Sequence, residues 1–406
     1  MPSRPLHPDE GTPVTVTRRV LFERVLQGIG TSLVAGGIER AFADSQGAAT
    51  GQASGPLTVR VSRPFDAETP AREFMSRLTP NERFFVRSHF GPPSAEAIQP
   101  ESWRLTVKGL VKDELTLSLP ELKQFEPATI TAVLQCSGNG RAHHRPKVPG
   151  VQWERGAVGN AEWTGVRLRD VLQRAGVKPQ SLHVQLQGAD RPALPSVPLF
   201  TRSIPIHKAL HPDTLLAYEM NGRPLPLLHG APLRVITPGW MAESCMKWLT
   251  EITLRADETP GYYMQQAYRI PETAVHPTSG LPGSAMVPVE QMPVKSLIAA
   301  PGEGDTLKVG PVTIQGVAWA GESPVAKVEV SCDDGKTWEP ARLVGEEQPY
   351  AWRQWQYLWN ARQVGPTAIL CRATDAQGIQ QPERSPWNPG GFLWNGWDRL
   401  SVTVAA

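Results

Sequence analysis

Leu134-Gln135-Cys136-Ser137-Gly138-Asn139-Gly140-Arg141 is the stretch that decides the reading of this chain. It follows a run, Ala128 to Val133, in which Thr129, Ile130, Thr131 and Val133 favour extended backbone, so it reads as the end of a strand. A strand that runs into a Gly/Asn turn holds the next side chain at a sheet edge, where a ligand can reach it. Arg141, His143, His144, Arg145 and Lys147 follow at once. Beside so many cationic groups the Cys136 thiol is expected to have a depressed pKa and to serve as a thiolate ligand or nucleophile. On the residues alone, the reading of Cys136 as a small buried core residue stays open beside it.

The 406 residues are enough for two or three domains, and 40% apolar with 20% charged residues fits a globular protein. Forty prolines and 36 glycines point to many turns, hence to a strand-rich α+β or all-β architecture. A net charge of +2 gives no support for nucleic-acid or general membrane binding. Cys136, Cys245, Cys332 and Cys371 form no CxxC or CxxCH, so the chain is expected to carry no covalently attached c-type haem and no closely spaced zinc site. Cys332 and Cys371 read as two buried thiols or, in an oxidising compartment, as a pair.

Thr17-Arg18-Arg19-Val20-Leu21-Phe22 resembles a twin-arginine export motif. A weakly apolar segment, Val25 to Ile38, and a small-x-small site at Ala41-Phe42-Ala43 follow it. Residues 1–43 are therefore expected to be a signal peptide, with the protein in the periplasm or another extracytoplasmic space. The apolar run is too short and Gly-rich to span a membrane. Residues 44–58 read as a Gly/Ala/Ser linker.

Leu134–Arg141 resembles the Gln-Cys-Ala-Gly-Asn-Arg-Arg signature of the sulfite oxidase family of molybdopterin enzymes, in which the cysteine thiolate binds molybdenum. Further segments resemble the family in order: Phe84-Phe85-Val86-Arg87-Ser88-His89, Ala161-Glu162-Trp163-Thr164-Gly165, Gly188-Ala189-Asp190, Ala217-Tyr218-Glu219-Met220-Asn221-Gly222, His229-Gly230-Ala231-Pro232-Leu233-Arg234 and Cys245-Met246-Lys247-Trp248. The resemblance implies a molybdenum–molybdopterin cofactor held by Phe85, Val86, Arg87, Ser88, His89, Asp190, His229, Arg234, Cys245, Met246 and Lys247, with Cys136 as the metal ligand. It implies that Arg87 and Arg141, helped by Arg399, hold sulfite, and that Trp163 lies beside the substrate channel. Ser88 stands where the family has asparagine. Phe200, aligned through Ser203-Ile204-Pro205, stands where animal sulfite oxidases have tyrosine, so no phenol is expected from that position.

Beyond Gln291-Met292-Pro293-Val294 the residues change character. Short β-type runs recur at 312–317, 326–331, 352–359, 367–373 and 400–404, with a hairpin signal at Asp334-Gly335. They suggest an Ig-like sandwich. Asp334-Gly335-x-Thr337-Trp338 and Trp394-Asn395-x-Trp397 resemble the family's dimerisation domain. The expected fold is thus a mixed α/β molybdopterin-binding domain over 59–288, then an Ig-like β-sandwich over 289–406 that forms a homodimer. The implied activity is oxidation of sulfite, with electrons passed to an external acceptor such as a c-type cytochrome. Competing readings are a family member acting on sulfane sulfur or nitrate, and a binding module that has lost the cofactor.

Overall fold

The computed structural model describes residues 57–278 and 285–406. The export motif, its cleavage site and nearly all of the linker lie outside the described residues. No helix among the described residues is long and apolar enough to cross a membrane.

Two five-stranded sheets carry the first part of the chain. In one, the Val158–Arg167 strand lies between Pro127–Gln135 and Leu215–Met220, all antiparallel. The strand expected at 128–133 therefore runs to Gln135, one residue short of Cys136. The Leu215–Met220 strand turns back through Asn221 and Gly222, at φ 53° and 69°, into Arg223–Pro224. Two successive left-handed residues make the turn whose twist suits a two-residue hairpin, and Asn-Gly tolerates it best. The Asn221 amide then donates to Thr79 O (2.9 Å) and Asn81 Oδ1 (2.8 Å), which fastens the segment leading to Arg87.

The second sheet has Leu249–Arg255 at its centre, parallel to Leu105–Gly109 and antiparallel to His183–Gly188. A helix, Leu168–Ala175, packs on this sheet and is closed by Gly176 at φ 70°. Leu168, Val171, Leu172 and Ala175 recur at helical spacing, and all are buried against this sheet. Leu172→Ala is expected to cost about 2–5 kcal/mol in urea unfolding, the usual range for a closed core site. A single helical turn, Leu119–Leu122, is held by a Ser118/Glu121 capping box.

All five β-type runs beyond residue 311 are strands, and Lys295–Ala300, Thr306–Lys308 and Glu339–Val344 join them. The eight form one continuous path that closes around its own apolar core, in which Ile298, Ile314, Val328, Trp355, Cys371 and Val402 are buried. The hairpin at Asp334-Gly335 joins Val325–Ser331 to Glu339–Val344. The three missed strands lack clean alternation. Lys295–Ala300 is buried on both faces, and Glu339–Val344 is largely exposed. Cys332 and Cys371 are both free thiols.

Candidate active site

The loop after Gln135 is held from both halves of the chain. Cys136 N–H donates to Ala157 O (2.9 Å), Asn139 N–H to Cys136 O (2.9 Å), and Asn139 Oδ1 accepts from Ala157 N–H (3.1 Å). From the C-terminal part, Leu393 N–H donates to Ser137 O (2.9 Å) and the Trp319 indole to Gln135 Oε1 (2.7 Å). Gly140, at φ 91°, has the Trp394 ring so close that a Cβ would sit 2.5 Å from it. A Cβ at Gly138 would lie 2.7 Å from the Arg141 guanidinium. The glycines of the motif are there for close approach as much as for the turn.

In front of Cys136 opens a cavity of about 730 Å³, its mouth included. Phe84, Phe85, Arg87, Ser88 and His89 form one wall, and Leu228, His229 and Arg234 another. Ala242, Glu243 and Cys245 to Trp248 form a third, and Asp190, Phe200 and Tyr268 complete it. Four residues expected at the site lie outside this lining. Val86 faces away, its backbone paired with Ala67. Trp163 is a core residue: its indole donates to Ala132 O (3.2 Å), and its face carries the Arg234 guanidinium. Arg141 lies behind the thiol, donating to Gly390 O (3.1 Å) and Val151 O (3.0 Å) and stacking over Phe392. Arg399 is on the C-terminal strand Asp398–Ala405, exposed and paired with Asp334, beside Trp397 and Glu383. The expectation that it reaches the site is corrected; the C-terminal residues that close on the cysteine loop are Gly390 to Trp394.

The expected depression of the Cys136 pKa is also corrected. Burial pushes the thiol up, and the pull of Arg87 and Arg141 does not outweigh it. The cationic cluster largely dissolves in three dimensions. His144 is buried and driven to about 4, hence neutral, while Arg145 and Lys147 are exposed. His143 stacks on Trp394, at 4.7 Å between ring centres. Arg141 is the cluster's one cation that acts on the thiol.

The anion-binding end is better defined. Arg234 donates to His229 O (2.8 Å) and Cys245 O (3.1 Å), and its Nε has no partner among the described residues. Lys247 donates to Ser88 Oγ (2.7 Å) and Leu228 O (2.9 Å). Burial lowers Arg234 to about 10 and Lys247 to about 7, the latter with Arg234 adding repulsion. Buried cations bonded to neutral acceptors rather than to a carboxylate favour an anionic guest. His229, expected to help hold the cofactor, is neutral. Burial lowers it to about 3, and its Nε2–H donates to Asn81 O (2.9 Å). Asp190 is driven up to about 6 by burial.

At the other end Arg87 pairs with the buried Asp66 (3.2 Å) and also donates to Ser88 O. Its Nη2 lies 3.3 Å from His89 Nδ1, and His89 Nε2 lies 2.8 Å from the Tyr268 hydroxyl. A guanidinium only donates, so His89 Nδ1 accepts and its proton sits on Nε2. Burial holds His89 neutral, which agrees. His89 Nε2–H then donates to the Tyr268 oxygen, and the phenolic hydrogen is left for an occupant of the cavity. The phenol that Phe200 cannot supply is thus present from another position. Phe200 packs on His89 instead, at 4.6 Å. Tyr268 follows a π-helical turn, Tyr263–Ala267, a local distortion frequent at functional sites. Sequence reasoning missed it because nothing in Met264-Gln265-Gln266-Ala267-Tyr268-Arg269 marks a site.

Comparison with known proteins agrees with this geometry. Residues 89–263 match the family model of the oxidoreductase molybdopterin binding domain, and residues 287–405 that of the Mo-co oxidoreductase dimerisation domain. The chain is therefore an enzyme of the molybdopterin oxidoreductase class. It is 38% identical over 361 residues to sulfite oxidase of Gallus gallus, covering 84% of this chain and 77% of that one. It is 37% identical over 366 residues to mitochondrial sulfite oxidase of Macaca fascicularis, covering 86% of this chain and 66% of the relative's length. The protein belongs to the sulfite oxidase family. In fold it is similar to the sulfane dehydrogenase SoxCD from Paracoccus pantotrophus, with a TM-score of 0.71 and 24% identity, covering 98% and 96% of the two chains.

The cavity fits the family's cofactor. Arg234 and Lys247 are suited to a phosphate, and Phe84, Phe85 and Trp248 supply apolar wall. The thiol stands among cationic groups at the far end, where a soft metal ligand belongs. Arg234→Met is expected to leave the protein folded but to lower its molybdopterin content by about tenfold or more, read as released pterin fluorescence.

Proposed function

We propose that this protein oxidises sulfite to sulfate at a molybdenum–molybdopterin centre bound through the Cys136 thiolate, with residues 59–288 as the catalytic domain. The observation that carries the reading is the joining, in one cavity, of the Cys136 thiol, a buried phosphate-type cation pair and a free phenolic donor. The cofactor, when bound, supplies the two-electron redox chemistry and the transferable oxygen. The chain does the rest. Burial opposes the charge of Arg87 and the paired Asp66 sustains it, so it can attract a sulfur oxyanion. Arg141, its Nε and Nη1 taken by backbone carbonyls, adds positive potential from behind the thiol. Tyr268 offers a hydrogen bond to the bound oxyanion, oriented by His89. Phe200 and Tyr268, the latter stacked on Phe392, wall the reacting end with apolar surface, which strengthens these interactions.

Electrons leave to an external acceptor, for which a c-type cytochrome is the proposed partner. The dimerisation-type domain over 289–406, read as Ig-like, supports a homodimer. Export by the twin-arginine route remains part of the proposal. The test is sulfite-dependent reduction of ferricyanide by molybdenum-loaded protein, with thiosulfate and nitrate run in parallel. Preference for sulfite supports the reading. Turnover of thiosulfate or nitrate alone would move the assignment to another substrate of the same family.

A further inference from the structure

One carboxyl in the cavity has no part in the scheme above. Glu243 lines the cavity, is 7% exposed, and neither of its oxygens has a hydrogen-bond partner among the described residues. The Ser137 hydroxyl, 1% exposed and next in sequence to Cys136, faces Glu243 as its one side-chain donor among the described residues and lowers its pKa, though at less than full hydrogen-bond geometry. The nearest opposite charge is Arg202. It donates to Tyr263 O (2.6 Å) and Val289 O (3.5 Å), leaving Glu243 unbonded. Both oxygens of a buried carboxyl left open to a cavity are costly, so they mark a place where an occupant completes the bonding. Glu243 lines the same cavity as Cys136 and Tyr268 and acts electrostatically on both, as it does on Cys245 of its own wall.

We propose that Glu243, with Ser137, is a specificity-determining pair that contacts the sulfur oxyanion through one shared proton. An ionised carboxylate would repel a dianion in this low-dielectric space, whereas a protonated carboxyl donates a hydrogen bond to it. Whether the proton arrives on the oxyanion or on Glu243, the complex holds one proton between them. The site therefore takes small sulfur oxyanions together with a proton and discriminates against oxyanion binding at alkaline pH. The inference rests on the proposed reading of the cavity as the oxyanion site.

The acidity agrees. Burial, partly opposed by Arg202, drives Glu243 up to about 7. The groups around it are Arg202, which stays charged, the thiol of Cys245 and the phenol of Tyr268, both pushed up and so neutral, and Cys136, which the proposed metal would occupy. Asp190 and Lys247, at about 6 and 7, titrate in the same range at the other end of the cavity. A substitution at Glu243 is therefore needed to separate their effects.

The experiment is calorimetric titration of sulfate, which is redox-inert, into molybdopterin-loaded protein from about pH 6 to about pH 9. Wild type is expected to lose affinity about tenfold per unit above about pH 7 and to take up close to one proton per sulfate at alkaline pH. In Glu243→Gln, matched for molybdenum content and melting temperature, the dependence should flatten and the alkaline affinity should rise. Ser137→Ala should weaken binding but keep the slope. A Glu243→Gln protein that titrates like wild type would overturn the proposal. So would a wild type that binds sulfate without proton uptake, a result that holds even if the variant does not fold. Sulfite turnover with an unchanged Glu243→Gln profile sinks this inference alone. A Glu243-linked sulfate site with no sulfite turnover sinks the proposed reaction and leaves the oxyanion site.

Discussion

Cys136→Ser protein is expected to lose sulfite oxidation altogether while keeping its fold. A hydroxyl fills the same space, so the loop bonds to Ala157 and Asn139 remain. What goes is a soft, readily ionised ligand, because an alcohol neither ionises near neutrality nor matches a soft metal. Burial already holds the Cys136 thiol above its ordinary range. A thiolate here would therefore depend on what it binds, and a bound metal would supply that stabilisation where Arg87 and Arg141 alone do not. Losing a supporting residue around a metal costs about 10–100-fold in affinity or activity, and losing the ligand itself should exceed this. Melting temperature, released pterin and molybdenum content, measured together, check the claim. A serine variant with wild-type turnover would remove Cys136 from the reaction.

Tyr268→Phe is the second large effect. The ring is buried against Phe392, with centres 5.3 Å apart and nearly parallel, so the phenylalanine ring should keep the packing. The hydroxyl is lost, and with it both the acceptor for His89 Nε2–H and the donor aimed into the cavity. A preorganised donor of this kind is worth about a hundredfold to a thousandfold in turnover. The loss should fall on kcat more than on KM if the bond strengthens as charge moves during reaction. His89→Asn should give a smaller loss of the same type. Equal losses in kcat and in sulfate binding would make the phenol a binding group only.

The cysteine segment was legible because its chemistry and its backbone needs coincide. Gly138 and Gly140 are demanded by Arg141 and Trp394, and such close approaches leave a recognisable pattern around the thiol. The wall segments at 85–89, 229–234 and 245–247 were legible for a similar reason, each bringing two or more residues to one cavity. Charge was misread where exposure decides it. His144, His229 and the thiol itself are all governed by burial, which no string of residues displays. Position failed at Arg399, where a strand register in the C-terminal sheet carries the side chain to Asp334 and away from the thiol. Tyr268 and Glu243 stayed hidden because each stands alone in its segment, and only the folded chain brings them to Cys136.

The measurement that bears most directly on the central claim is a single turnover without any acceptor. Molybdenum-loaded protein, oxidised and freed of oxygen, is mixed with excess sulfite, and sulfate is counted against molybdenum. A two-electron oxidation at one metal centre predicts one sulfate per molybdenum and then a stop, whatever the natural electron acceptor is. Fully loaded wild-type protein that forms no sulfate would contradict the account.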